Sequence, residues 1–371
     1  MDIIVSGSSI AGLSAAYWLA RSGHRVTVVE ISPGVRRGGI AVDVRGGALE
    51  VAKDMGLHEE ILRSRVPTAD IYYFLDAAGT VKATFEPAVQ FYDSPEDVEI
   101  SRDRLSDILQ DAVPAEVAFR YGLSLVSIRE HGDGVEVALS DGTVHNCDLV
   151  VGADGMHSNV RSLTFGPERD HVRYLGLYVA IVKRCRTGRG MEGSHVYNSP
   201  GRMLMLRGDG EECSALLGFR SEPIDYDFRD LSAQRRIVKE AFRDDRAWKL
   251  PEVVAEIETA EDFYFDSVGQ IRMPAWSRGR VVLLGDAAYC ASFFSGMGTS
   301  LAMLGAFQLA QSLDSCGDDV AGGLAAYERA MRPVVDEAQA MADAGAAILF
   351  PETADAIEAR NAELMAEAPM S

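Results

Sequence analysis

Little in this sequence points to a metal site, a disulfide framework or a membrane. Its five cysteines, Cys147, Cys185, Cys213, Cys290 and Cys316, are scattered over 371 residues without one CxxC pair. That spacing argues against a zinc site and against a stapled secreted scaffold, so no metal is expected. Apolar runs are short. The longest, Tyr174 to Val182, falls far below the roughly 18 residues of a membrane span. Positive charge is scarce too, with 36 Lys and Arg against 56 Asp and Glu and a formal charge of -20. Such a field repels phosphate backbones and anionic lipid, which makes nucleic acid and membrane surfaces poor partners. The chain enters the run Asp2-Ile3-Ile4-Val5 at once, so no signal peptide is expected. A cytoplasmic, reducing setting is the expectation. Repeats and low-complexity linkers are absent.

What is present is an ordinary globular composition, 47% hydrophobic and 25% charged, over a length that suits two or three structural units. Residues 3–31 read as strand, tight turn, helix and strand, a βαβ opening. A glycine- and arginine-rich loop follows at Pro33 to Gly47, then a helix over Ala48 to Met55. Tyr72 to Phe85 reads as two strands around Asp76-Ala77-Ala78-Gly79, and Arg102 to Val113 as an amphipathic helix. Strands joined by tight turns fill Leu123 to Val144, before a short buried strand at Leu149-Val150-Val151. From Arg173 to Phe265 the texture changes. Strand-like stretches at Tyr178–Val182, Arg202–Arg207 and Ser214–Arg220 alternate with acidic loops and one helix near Ala233 to Phe242. Buried-strand character returns at Arg280 to Leu284, ahead of a long helix from about Gly298 to Leu313. The tail from Leu324 to Glu367 reads as helix interrupted near Pro333 and Pro351.

Three motifs carry chemistry. In Gly7-Ser8-Ser9-Ile10-Ala11-Gly12, Gly7 makes the turn of a dinucleotide fingerprint and Gly12 allows close helix–strand packing. The helix N-terminus behind it faces phosphates. Ser9 replaces the middle glycine and offers a hydroxyl. Glu30 closes the second strand eighteen residues after Gly12, where an acid would hold ribose hydroxyls. This turn alone does not separate FAD from NAD. The second motif, Gly152-Ala153-Asp154-Gly155-Met156-His157-Ser158-Asn159-Val160-Arg161, follows the strand at Leu149. The third, Gly285-Asp286-Ala287-Ala288, follows the strand at Val281. Both put an aspartate at a strand's carboxyl end, where open α/β sheets bind ligands. Ser295-Gly296-Met297-Gly298-Thr299 then precedes a long helix, whose free N–H groups would stabilise negative charge.

On these residues the chain resembles the class A flavoprotein monooxygenases, the para-hydroxybenzoate hydroxylase-like family with its aromatic and polyketide hydroxylases and tetracycline-inactivating enzymes. The resemblance spans residues 2 to about 335. It implies an α/β fold in which a Rossmann-like FAD-binding domain (1–70, 101–168 and 275–323) carries an inserted α+β substrate domain. That second domain would comprise 71–100 and 169–274, with a C-terminal helical segment over 324–371. The family uses tightly held FAD, NADH or NADPH as co-substrate, and O2. It hydroxylates or epoxidises a small molecule through a flavin C4a-hydroperoxide. Carried over, Gly7, Ser9, Ala11 and Gly12 would cradle the FAD pyrophosphate and Glu30 the adenosine ribose. Arg37 and Arg45 lie in the loop that approaches the flavin, and Arg102 matches an arginine that contacts FAD. Val126 falls where backbone lies beside adenine, Asp154 in the motif shared by FAD and NAD(P)H, and Asp286 at the ribityl chain. Gly296, Gly298 and Thr299 would face the flavin.

Three positions depart from the family. Tyr289 replaces a histidine, Phe293 a proline beside the flavin, and Gly305 an acid. Phe293 is expected to reshape the oxygen side of the site. Met203 and Met205, alternating with Arg207 on one strand, are candidates to line the substrate cavity together with Phe293. No catalytic base is legible. The alternative reading is a FAD-bound enzyme of the same fold, a cyclase or dehydrogenase, with non-oxygenating chemistry.

Overall fold

The computed structural model describes residues 1–35, 41–66, 71–85 and 96–367. Its first sheet has six strands, in the order Ser277–Arg278, Val281–Leu283, Leu149–Gly152, Asp2–Ser6, Arg25–Glu30 and Ala118–Tyr121. All neighbours pair in parallel except the first two. The central runs are apolar throughout because helices such as Ile10–Arg21 and a three-stranded sheet (Leu125–His131, Gly134–Leu139 and Val144–Cys147) pack on them in one core, leaving no solvent side to pattern. Register does the functional positioning. Ser6 pairs with Gly152 and Gly152 with Leu283, so the three sequence motifs leave the sheet side by side at one edge.

A second, seven-stranded sheet runs Phe263–Ile271, Val172–Val182, Cys213–Arg220, Arg202–Asp209, Glu192–Ser199, Tyr72–Leu75 and Val81–Phe85. One face packs on the helices Leu231–Ala241 and Leu250–Glu256 through Tyr178, Leu204, Leu217, Val238 and Val253. The opposite face, with Phe74, Val179, Val196 and Leu216, is closed at one end by Ala346 and Phe350 of the chain's tail. No helix among the described residues is long and apolar enough to cross a membrane.

The structure adds elements that periodicity did not show and removes one break. Glu192–Ser199 is an interior strand and Leu250–Glu256 a short helix opened by Pro251. Val320–Leu349 is one continuous helix with Pro333 inside it. Tertiary contacts outweigh the missing N–H there. The Arg332 guanidinium lies 4.1 Å from the Trp276 ring centroid and donates to the Met273 carbonyl. The tail's break falls after Leu349, before the helix Ala354–Glu367.

Candidate cofactor site

The three motifs form one continuous track. At its first end the Ser8 N–H and hydroxyl both donate to Glu30 Oε2, at 2.8 and 3.1 Å, while the Ser32 N–H donates to Oε1 at 2.9 Å. Glu30 keeps acceptor capacity on Oε1 for a further donor. Val126 is half exposed, three residues beyond Leu123, whose N–H donates to the Glu30 carbonyl. It is the extra residue of a bulge, because Leu125 pairs with Leu139 and Ser127 with Ala138. Asn159 anchors the bulge through the Leu125 carbonyl.

Gly7 holds φ +103, a left-handed value that glycine alone adopts without strain. A β-carbon there would strike the Ala153 carbonyl, and one on Gly12 would strike the Gly7 carbonyl. Neither position accepts a side chain. The helix Ile10–Arg21 starts from Ser9, whose side chain caps nothing but accepts from Arg102 Nη2 at 2.8 Å. A helix N-terminus with uncapped N–H groups and an adjacent arginine is a place for phosphate. Ala11 abuts Gly285, so the first helix meets the third motif directly.

Asp286 occupies the far half of the track. It is accessible to solvent, yet protein surrounds it closely, as at the floor of a cleft. Desolvation pushes its carboxyl above the usual range, against contacts with Cys290 and the charge of Arg102. Gly298, first residue of the helix Gly298–Cys316, stands beside its Oδ1. Gly296, at φ +64, approaches Asp43 and Arg45, which form an ion pair of 2.7 Å. Ser300 ties that pair to the helix by accepting from the Arg45 N–H and donating to the Asp43 carbonyl. Thr299 is buried behind it.

Several expected residues sit differently. The Asp154 carboxylate turns onto its own helix, accepting from the Ser158 hydroxyl and from the N–H groups of Asn159 and Val160. It acts first as the helix's N-terminal anchor. Met203 is wholly buried, its row closed where Phe350 packs against Gly218, so it presents no surface to a ligand. Met205 is half-buried on the same face. Phe293 is exposed and meets Phe294 edge to face. Before it, Ser292 holds φ 89 and ψ 152, a region that costs a non-glycine residue about 1–3 kcal/mol. Arg37 lies outside the described residues.

Two departures from the family explain each other. A β-carbon on Gly305 would collide with the Tyr289 hydroxyl. The larger phenol at 289 therefore fits because 305 has no side chain. Tyr289 and Tyr327 hydroxyls lie 3.0 Å apart, and Tyr327 donates onward to the Leu283 carbonyl. Burial pushes the Tyr289 phenol up to about 12, so it stays neutral.

Sequence reasoning missed a polar row on the second sheet. Tyr72, Ser194, Arg207 and Ser214 are successive cross-strand partners and share one face. Arg207 makes a two-pronged ion pair with Glu99. The Ser194 hydroxyl is buried with no partner among the described residues. The next row, Phe74, Val196, Met205, Leu216 and Ile181, is apolar.

Residues 1–342 match the FAD binding domain family. A Mycobacterium tuberculosis protein without a described function is 39% identical over 347 residues, covering 91% of both chains. A flavin-dependent monooxygenase from an unknown prokaryotic organism is 33% identical over 348 residues, covering 91% of this chain and 87% of the relative. The crystal structure of the tetracycline destructase Tet(51) superposes with a TM-score of 0.84 at 30% identity, covering 99% of this chain and 96% of that one. The chain thus belongs to the FAD binding domain family and is a FAD-dependent class A monooxygenase.

Proposed function

We propose that the track from Glu30 to Arg45 holds FAD at full length, and that the enzyme uses NADH or NADPH and O2 to hydroxylate or epoxidise an aromatic or polyketide-like compound. The observation that carries this reading is the contiguity of the track. Glu30–Ser8, Gly7–Ala153, Ser9–Arg102, Ala11–Gly285, Asp286–Gly298 and Gly296–Arg45 are each in contact or nearly so. Only a dinucleotide needs an acid at one end, a bare helix N-terminus in the middle and a second helix N-terminus at the other. Bound FAD supplies the redox chemistry that passes electrons from the nicotinamide to oxygen.

The chain's own residues bind, orient and exclude water. Glu30 accepts ribose hydroxyls; Ser9, Arg102 and the Ile10–Arg21 helix end hold the pyrophosphate; Asp286 accepts from the ribityl chain. Gly296, Gly298 and Thr299 bring N–H groups and the positive end of a 19-residue helix to the flavin ring. Val126 lies beside the adenine. On the substrate side, Met205 and Phe293 offer apolar surface, and the half-buried Tyr72 and Ser214 of the polar row offer hydrogen bonds, while Ser194 lies buried between them. Arg207 is matched by Glu99 and Arg45 by Asp43, so this wall carries little net charge. It suits an oxygen-rich, neutral ring system better than a bare anion. The likeness to a tetracycline destructase is in keeping with that class.

The test is direct. Purified protein should be yellow, release FAD on denaturation, and oxidise NAD(P)H faster in the presence of its substrate. Product formed under labelled O2 should carry one labelled atom. Colourless protein that cannot be loaded with FAD overturns the cofactor assignment. Substrate-independent NAD(P)H oxidation with no labelled product across a broad aromatic panel overturns the oxygenation.

A further inference from the structure

A carboxylate stands against each nitrogen of one histidine ring. His157 Nδ1 lies 2.9 and 3.1 Å from the two Glu168 oxygens, and Nε2 lies 3.0 Å from Asp266 Oδ2. A neutral imidazole has one N–H and one lone pair, so it can serve only one of these partners. The other contact would set a lone pair against an acceptor. Protonating a carboxylate instead is disfavoured by the other donors. Asp266 also accepts from the Tyr264 hydroxyl and the Ser267 N–H, and Glu168 from Arg161. The ring is therefore an imidazolium. Burial alone would lower its pKa, but the bonds to Asp266 and Glu168 override that and push it up to about 10. The Phe228 ring stacks on it at 4.9 Å.

The three partners come from different parts of the fold. His157 lies in the second motif and Asp266 in the edge strand Phe263–Ile271 of the second sheet, with Glu168 in the short turn Glu168–Asp170 between them. The charge chain continues through Arg161, which is wholly buried. Its Nη2 donates to Glu168 at 3.0 Å and its Nη1 to the Ala287 carbonyl at 2.9 Å. Ala287 follows Asp286. The same edge strand grips that segment from its other end, because the Ile271 N–H donates to the Cys290 carbonyl. Asp286 thus sits in a closed ring running from the strand through His157, Glu168 and Arg161 and back.

We propose that His157, as an imidazolium bridging Glu168 and Asp266, is a positioning residue that holds the Asp286 segment in its cofactor-binding place. The inference rests on the FAD assignment above. Loss of the ring's charge leaves one of the two carboxylates facing a lone pair and loosens the ring around Asp286. The charged and titratable groups facing His157 and its two carboxylates are Arg161, Tyr264 and Tyr226, with Asp154 and Cys290 beyond them. The clamp's contribution is full below about pH 6.5, falls as pH rises, and is lost through about pH 10.

The test measures FAD dissociation constants by flavin fluorescence from pH 6.5 to 10.5 for the wild type, His157→Gln and Asp266→Asn. At pH 7.5 His157→Gln should bind FAD about tenfold more weakly, the loss of one or two charge-assisted hydrogen bonds. The gap should close as the wild type nears pH 10. Asp266→Asn removes the need for a charged ring and should move the wild-type transition to lower pH. The double variant should recover affinity, since the glutamine carbonyl then faces an amide donor. Equal affinity of wild type and His157→Gln, or a gap unchanged to pH 10.5, overturns the proposal. If His157→Gln does not fold, the Asp266→Asn profile decides, and one matching the wild type overturns it. Wild-type protein that takes up no FAD overturns the functional reading as well, whereas yellow protein with an unaffected variant overturns this inference alone.

Discussion

Asp286 combines water access with a protein environment that disfavours its charge. Its protein partners, Cys290 and the distant charge of Arg102, are weak ones for a carboxylate. A group held this way contributes little to folding and much to a ligand that brings hydroxyl donors. Asp286→Ala should therefore weaken FAD binding by about 1.5–3 kcal/mol while leaving the apoprotein's melting temperature unchanged or slightly raised. Cofactor titration and apoprotein melting, run on the same preparation, separate the two effects. A matching fall in both would make Asp286 a structural residue. Phe293 is governed by its neighbour in a similar way. Restoring the family's proline at 293 would ask Ser292 to leave φ 89, because residues before proline favour negative φ. Substitution by alanine or leucine is the cleaner probe of that site.

At the scale of elements, the helix Gly298–Cys316 shows how a local preference can be reversed by a contact. Glycine in a helix interior is normally about 1 kcal/mol worse than alanine. Here a β-carbon at 305 meets the Tyr289 hydroxyl, a buried group that cannot swing away because Tyr327 and Trp276 enclose it. Gly305→Ala should destabilise the protein by roughly 1–3 kcal/mol. In a Tyr289→Phe background the same change should be near neutral. A double-mutant cycle by chemical denaturation reads the coupling, and additive effects would disprove the fit. The strands behind the track were legible because each is a short apolar run ending at a glycine, followed in two of the three by an aspartate, a pattern that needs no distant partner to be recognised. Glu30 stands out by its spacing from Gly12, and the structure sets its carboxylate against Ser8 of the first motif. The strand Glu192–Ser199 was not, because Ser194, His195, Asn198 and Ser199 interrupt both faces and its stability comes from neighbours on either side. The Arg207–Glu99 pair and the Asp266–His157 contact each join residues over a hundred positions apart. No local pattern encodes such separations. Asp154 was expected in the motif facing FAD and NAD(P)H, and the structure adds what spacing could not show, that its carboxylate accepts from the Ser158 hydroxyl and the Asn159 and Val160 N–H groups.

For the whole molecule, charge is the property with a kinetic consequence. The protein carries a formal charge of -20, and the basic stretch at Lys183 to Arg186 does little to offset it locally. Lys183 pairs with Asp103, Arg184 with Asp262 and Arg186 with Glu256. A basic funnel is thus missing from that stretch, while the proposed nicotinamide co-substrate is itself an anion. Protein and co-substrate repel each other over distances longer than contact, and salt screens that repulsion, with a Debye length of about 30 Å at 0.01 M and about 8 Å at 0.15 M. Raising ionic strength across that range should increase kcat/KM for NAD(P)H by a factor of about 2–10, through the association step, with kcat unchanged. NADPH carries an extra phosphate of about two charges, so its response should be the steeper of the two. Initial-rate kinetics at fixed substrate, with an inert monovalent salt, check both statements. A kcat/KM that falls with salt would instead mean that arginines along the entry path outweigh the global field.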